Sequence, residues 1–215
     1  MANGGGRRPG LGHGATVADI ASDYAHALAA EFKGEAVNII GVSTGGSIAL
    51  QFAADYPELV QKLALAGTAY RLGPIGRDVQ RRYADLLASG HFRQAFMSLA
   101  PVISDSRSGQ SFWRVFLWLF ASLTHIEDPS GMVAILMAED AFDLGDRLHE
   151  ITAPTLLIGG DRDSNYSPDL MKQTAERIPH ARLIMYPGRR HSETMTDRRF
   201  ISDMLAFLTG EPSQA

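Results

Sequence analysis

Cysteine is absent from all 215 residues, so the fold cannot rest on disulfides, and neither thiolate chemistry nor a cysteine-based zinc site is available. A cytoplasmic setting is the simplest expectation. No apolar run reaches membrane-spanning length: the most aromatic stretch, Phe112 to Phe120, is short and interrupted by Arg114, which excludes a transmembrane helix there. The first fourteen residues are Gly- and Arg-rich and lack the apolar stretch of a secretory signal, so residues 1–14 read as a disordered leader. Charge of one sign is also scarce. With a net charge of −4 and no basic run, the chain shows no footprint for nucleic acid or a membrane surface. It has no internal repeat and no His-Glu-x-x-His metal motif, and nothing in it calls for a cofactor. What remains is a chain that is 45% hydrophobic, enough for one globular domain with a core.

The most informative feature present is Gly41-Val42-Ser43-Thr44-Gly45, set between the apolar run Ala36 to Ile40 and the helix-like stretch Gly46 to Ala54. A Gly-x-Ser-x-Gly run joining a buried strand to a helix makes a turn so tight that small residues must flank the serine, whose hydroxyl then stands above the sheet edge. Val37, Ile39 and Ile40 are β-branched, and Ile48 and Phe52 lie at helical spacing until Pro57 stops the helix. Ser43 is thus a candidate nucleophile. The backbone N–H of Thr44, at the helix start, points where negative charge would develop on a substrate oxygen.

A serine hydroxyl is a weak nucleophile until a base removes its proton. Downstream, the strand-like Pro154 to Ile158 leads into Gly159-Gly160-Asp161-Arg162-Asp163, and Ala181 to Tyr186 leads into Pro187-Gly188-Arg189-Arg190-His191. Each candidate follows the carboxyl end of a strand, the edge of a parallel sheet where catalytic groups converge. Asp163 and Asp161 are both candidates for the acid, and His191 for the base. His13, His26, His91, His125, His149 and His180 lie in helix or loop patterns and receive no role.

In these three motifs the chain resembles the α/β-hydrolases, from the elbow at Gly41 to the helix near Phe207, and is similar to their single-domain esterase, lactonase, C–C hydrolase and cofactor-free haloperoxidase members. The resemblance implies the order Ser43, Asp163, His191, with Asp163 preferred over Asp161 because the acid ends a Gly-x-x-Asp turn. The usual Pro-Gly-x-x-His turn carries two arginines here, Arg189 and Arg190, cations that disfavour a protonated imidazole. The implied substrate is a small acyl compound, such as an ester or lactone, with no cofactor and no metal. Ser43 argues against the dehalogenase and epoxide-hydrolase relatives, which place Asp there.

Along the chain, Thr16 is placed to cap a helix running through Ala30, with Asp19 at its positive end. Strands are expected at Ala36–Ile40, Leu63–Ala66, Thr155–Ile158 and Arg182–Tyr186. Between them, residues 74–146 show only helical stretches: Asp78 to Ser89, Phe92 to Leu99, Phe112 to Leu123 and Met132 to Phe142. The expected class is therefore α/β, a partial α/β-hydrolase fold of about four parallel strands. Its core is formed by residues 15–73 and 147–210, with a helical cap at 74–146 and a tail at 211–215. Trp113, Phe116, Trp118 and Phe120 are expected mostly to pack the cap on the core.

In the resembled fold the elbow follows the fifth strand, whereas no strand pattern precedes Ala36 here. The chain is expected to lack the first four strands and, with them, the second oxyanion donor. Gly12-His13-Gly14 lies too near Ser43 to supply that donor and better matches the Gly-rich loop after the fourth strand. Strand Val37–Ile40 would then be a bare edge, prone to self-association. Two function classes follow: a serine hydrolase, impaired by the missing strands, or a non-catalytic remnant acting by association.

Overall fold

The computed structural model describes residues 14–104, 106–124 and 126–210. Most of the leader, including Gly12 and His13, and the tail at 211–215 lie outside the described residues. Four strands form one sheet: β1 (Val37–Val42), β2 (Val60–Ala66), β3 (Thr155–Gly160) and β4 (Ala181–Tyr186). They run parallel in the order β1-β2-β3-β4. β1 starts one residue later than expected and ends two later, while β2, β3 and β4 are three, two and one residues longer, because pairing extends past the apolar run into flanking residues.

Alternation along β2 divides the core. Leu63 and Leu65 point to one face, where α1 (Val17–Glu31), α2 (Thr44–Asp55) and α8 (Pro168–Arg177) pack around Leu50, Leu157 and Met171. Ala64 and Ala66 point to the other, against Phe200 and Met204 of α10 (Phe200–Thr209). Covered on both faces, β3 is buried at every position, as interior parallel strands are. β1 differs. Among the described residues it pairs only with β2, and Ile40 stays 55% exposed beside a cavity of about 320 Å³ that Tyr24 and Leu28 of α1 also line.

α1 begins where the sequence places it. Thr16 accepts from Asp19 N at 3.1 Å, while Asp19 Oδ2 accepts from Thr16 N at 2.8 Å, a reciprocal cap. α2 ends at Asp55, two residues before Pro57.

Between β2 and β3 the described residues form five α-helices where four helical stretches are expected, α3 (Pro74–Ala88), α4 (Phe92–Ser98), α5 (Ala100–Ile103), α6 (Arg107–Leu123) and α7 (Ser130–Asp140), followed by a short 3-10 helix at Gly145–Glu150. α3 starts early because Pro74 fits the first turn, and α6 because Ser106 caps it by accepting from Gly109 N at 3.1 Å. Tyr83, Leu87 and Ala95 give this insertion its own small apolar cluster. The aromatic residues of α6 depart from expectation. Leu117 and Ala121 are buried, whereas Phe116, Trp118 and Phe120 remain exposed. α6 carries more apolar surface than its neighbours cover, and the stripe it buries meets α4 and α5 rather than the sheet. No helix of the described residues is long and apolar enough to cross a membrane.

Candidate functional site

Ser43 follows β1 with φ 52° and ψ −124°, one of two non-glycine residues with positive φ among the described residues. Such a conformation costs of order 1–3 kcal/mol and persists only where the surroundings enforce it. The enforcement is visible. Ser43 N donates to Ala66 O at 2.9 Å, extending the β1–β2 ladder into the turn. A Cβ on Gly41 would stand 2.7 Å from Ala49 Cβ and from Gly46 Cα, and one on Gly46 would strike the Thr68 side chain. Gly45, the second glycine of the motif, faces open space. Ser43 occupies the N-cap position of α2, yet its hydroxyl makes no capping bond.

That hydroxyl turns to His191 instead, with Oγ 2.9 Å from Nε2. His191 opens α9 (His191–Met195), after the turn that ends β4. Its Nδ1 lies 2.8 Å from Asp163 Oδ2, and both side chains are shielded, at 11% and 0% exposure. An ionised carboxylate only accepts, so the proton sits on Nδ1 and Nε2 is left free to accept from Ser43. The other carboxylate oxygen, Asp163 Oδ1, accepts from Asn165 N at 2.8 Å and from Tyr166 N at 3.1 Å.

Of the two candidate acids, the structure therefore brings Asp163 to His191. Asp161 serves the same turn differently: its Oδ1 accepts from Gly188 N at 2.6 Å, bracing the loop that carries the histidine. The two arginines of that loop are engaged. Arg189 Nε donates to Asp197 Oδ2 at 2.8 Å, and Arg190 Nη1 reaches Ile103 O of α5 at 3.4 Å. Asp197, buried and also bound by Arg199, is held well below the usual carboxylate range, first by the Arg199 side chain and then by its backbone N–H.

Thr44 is the first residue of α2, and an N–H in the first turn has no intrahelical acceptor. Its side chain donates through Oγ1 to Glu139 Oε2 at 2.7 Å. Glu139 and Tyr166 were not identified from sequence. The available signal was an acidic residue next to the apolar stretch Ile135 to Ala138, on a helix otherwise suited to burial.

The sequence matches the serine aminopeptidase, S33, family over residues 3–198, and the chain belongs to that family of α/β-hydrolase enzymes. It is 32% identical over 168 residues to the poly(3-hydroxyalkanoate) depolymerase of Ectopseudomonas oleovorans, an alignment spanning 68% of this chain and 52% of the depolymerase. The chain thus spans about half the length of that relative. Among solved structures, it is similar to an alpha/beta hydrolase enzyme from a Medee basin deep-sea metagenome library. The TM-score is 0.80 at 20% identity, covering 98% of this chain and 78% of that one. The enol-lactonase of Burkholderia xenovorans gives a TM-score of 0.73 at 23% identity, covering 95% and 77%. At these identities both establish the fold.

Proposed function

We propose that the protein is a serine hydrolase that cleaves a small ester, lactone or related acyl compound through an acyl-serine intermediate. The observation that carries this reading is the chain of contacts from Ser43 Oγ to His191 Nε2 at 2.9 Å and from Nδ1 to Asp163 at 2.8 Å. Ser43 Oγ bonds to the substrate carbonyl carbon as its proton passes to Nε2, and the carbonyl π electrons move onto oxygen. The Thr44 N–H and the positive end of α2 stabilise that oxyanion. Collapse expels the leaving group, which takes the proton from Nε2. Water, deprotonated by the same nitrogen, then releases the acid and restores Ser43. Asp163 keeps the imidazole in the required tautomer and balances its charge.

The names of two relatives, a depolymerase of poly(3-hydroxyalkanoate) and an enol-lactonase, support an acyl–oxygen substrate. The helical insertion α3–α7 acts as the lid over Ser43 and selects the acyl group. The test is a fluorophosphonate probe, which reacts only with an activated serine. Wild-type protein should be labelled and Ser43→Ala should not. A folded wild type that resists the probe would refute the reading.

A further inference from the structure

Glu139 belongs to the insertion, on the last turn of α7, yet it is only 1% exposed. Its neighbour Asp140 is met by Arg77 and Arg81 of α3, whereas no cation pairs with Glu139 among the described residues. Three hydroxyls take that place. Oε2 accepts from Thr44 Oγ1 at 2.7 Å, and Oε1 from Ser47 Oγ at 3.2 Å and from the Tyr166 hydroxyl. A buried carboxylate is tolerable only when its lone pairs are filled in this way, and a hydrophobic side chain would hold α7 to the core at lower cost.

The donors share one property: they come from the machinery around Ser43. Thr44 supplies the oxyanion N–H. Ser47 lies one turn further along the same helix. Tyr166 gives its backbone N–H to Asp163 Oδ1 at 3.1 Å and stacks its ring on His191, with centroids 5.8 Å apart and planes inclined by 27°. Burial, reinforced by the Glu139 charge, pushes the Tyr166 phenol well above its ordinary range, so it remains a donor.

We propose that Glu139 is a positioning residue for the reaction. Through Thr44 it aims the oxyanion-binding N–H, and through Tyr166 it fixes the imidazole plane and the Asp163 carboxylate. Seating α7 on the core and completing the site are then one event. This inference rests on the serine-hydrolase reading above.

The competing explanation is an anchor that merely ties the insertion down, and kinetics separates the two. Glu139→Gln keeps the shape but offers one acceptor oxygen where two are used. It should lower kcat on a p-nitrophenyl ester roughly tenfold to hundredfold, since misplacement of about 1 Å costs about 10². KM should stay within about threefold, with fluorophosphonate labelling slowed in step. Thr44→Val and Tyr166→Phe, which keep the backbone N–H groups and the ring, should each reproduce part of the loss. The double variant Glu139→Gln/Thr44→Val should be no slower than the worse single one, because the two act on one linkage. Asp140→Asn, which loosens α7 from α3 alone, should lower Tm and leave kcat intact. If Glu139→Gln lowers Tm but not kcat, or if the two losses multiply, the inference falls while the hydrolase reading stands. If the wild type is not labelled, both fall. Should Glu139→Gln not fold, Thr44→Val and Tyr166→Phe decide alone, and full kcat in both overturns the proposal.

Discussion

Replacing Asp163 by Asn is the sharpest test of the site, because the structure dictates which way the amide must face. Asp163 Oδ1 accepts two backbone N–H groups, from Asn165 at 2.8 Å and Tyr166 at 3.1 Å. An amide nitrogen cannot accept either, so the Asn carbonyl oxygen is fixed there and its NH₂ takes the place of Oδ2, facing His191 Nδ1. That NH₂ can only donate. His191 is forced into the other tautomer, with its proton on Nε2, where it points at Ser43 and cannot receive the serine proton. The same exchange in the trypsin triad leaves the geometry intact and lowers kcat by about 10⁴. Four decades correspond to about 5.4 kcal/mol of transition-state stabilisation. We expect kcat/KM on a p-nitrophenyl ester to fall by that order and Tm to shift by only a few degrees. Asp161→Asn, at a side chain that accepts from Gly188 N rather than reaching His191, should cost far less. Retention of more than about a tenth of wild-type turnover by Asp163→Asn would refute the tautomer argument.

Two further outcomes follow from elements away from the site. Ile40, exposed on a strand that has no neighbour on one side among the described residues, invites pairing with a second copy of the chain; Ile40→Lys should shift size-exclusion elution toward the monomer with little change in Tm, and identical monomeric elution of both proteins would dismiss that edge as an interface. Asp197 has a folded-state pKa depressed by Arg199 and Arg189, so its contribution to stability is present above the unfolded value near 3.8 and is lost as pH falls below about 4. The Tm gap between wild type and Asp197→Asn should therefore close on acidification through that range, and a gap that persists unchanged to pH 2.5 would contradict it.

The site was legible in sequence to the extent that its parts sit at strand ends. Ser43, Asp163 and His191 each follow a β-branched or aliphatic run and a glycine-bearing turn, and local pattern suffices to place such turns on one sheet edge. The four strands were legible for the same reason. Three things were not. The choice between Asp161 and Asp163 required the resemblance, since both are turn formers two residues apart and only the folded loop decides which reaches Nδ1. The exposure of Phe116, Trp118 and Phe120 was hidden because apolar identity does not reveal how much neighbouring surface exists to cover it. Glu139 was missed because its meaning lies wholly in long-range partners, Thr44 and Ser47 on one element and Tyr166 on another. Gly45 shows the converse: the motif marks it, but Gly41 and Gly46 bear the steric constraint.

The adjacency of β2 and β3 has a consequence for how this molecule can change. The backbone leaves the sheet at Gly67 and returns at Thr155 onto the neighbouring strand, where Ala66 pairs with Ile158. Everything between is a crossover that leaves at one edge of the sheet and re-enters at the other on the adjacent strand, where Thr155 pairs with Leu63, so its length and sequence can drift without altering the register that sets Ser43 against His191. A lineage can thus trade one helical insertion for another as a tailor changes a patch, provided one stitch is sewn back in the same place. In this chain one such stitch is the Glu139 carboxylate at the end of α7, alongside the contact of Arg190 with Ile103 of α5.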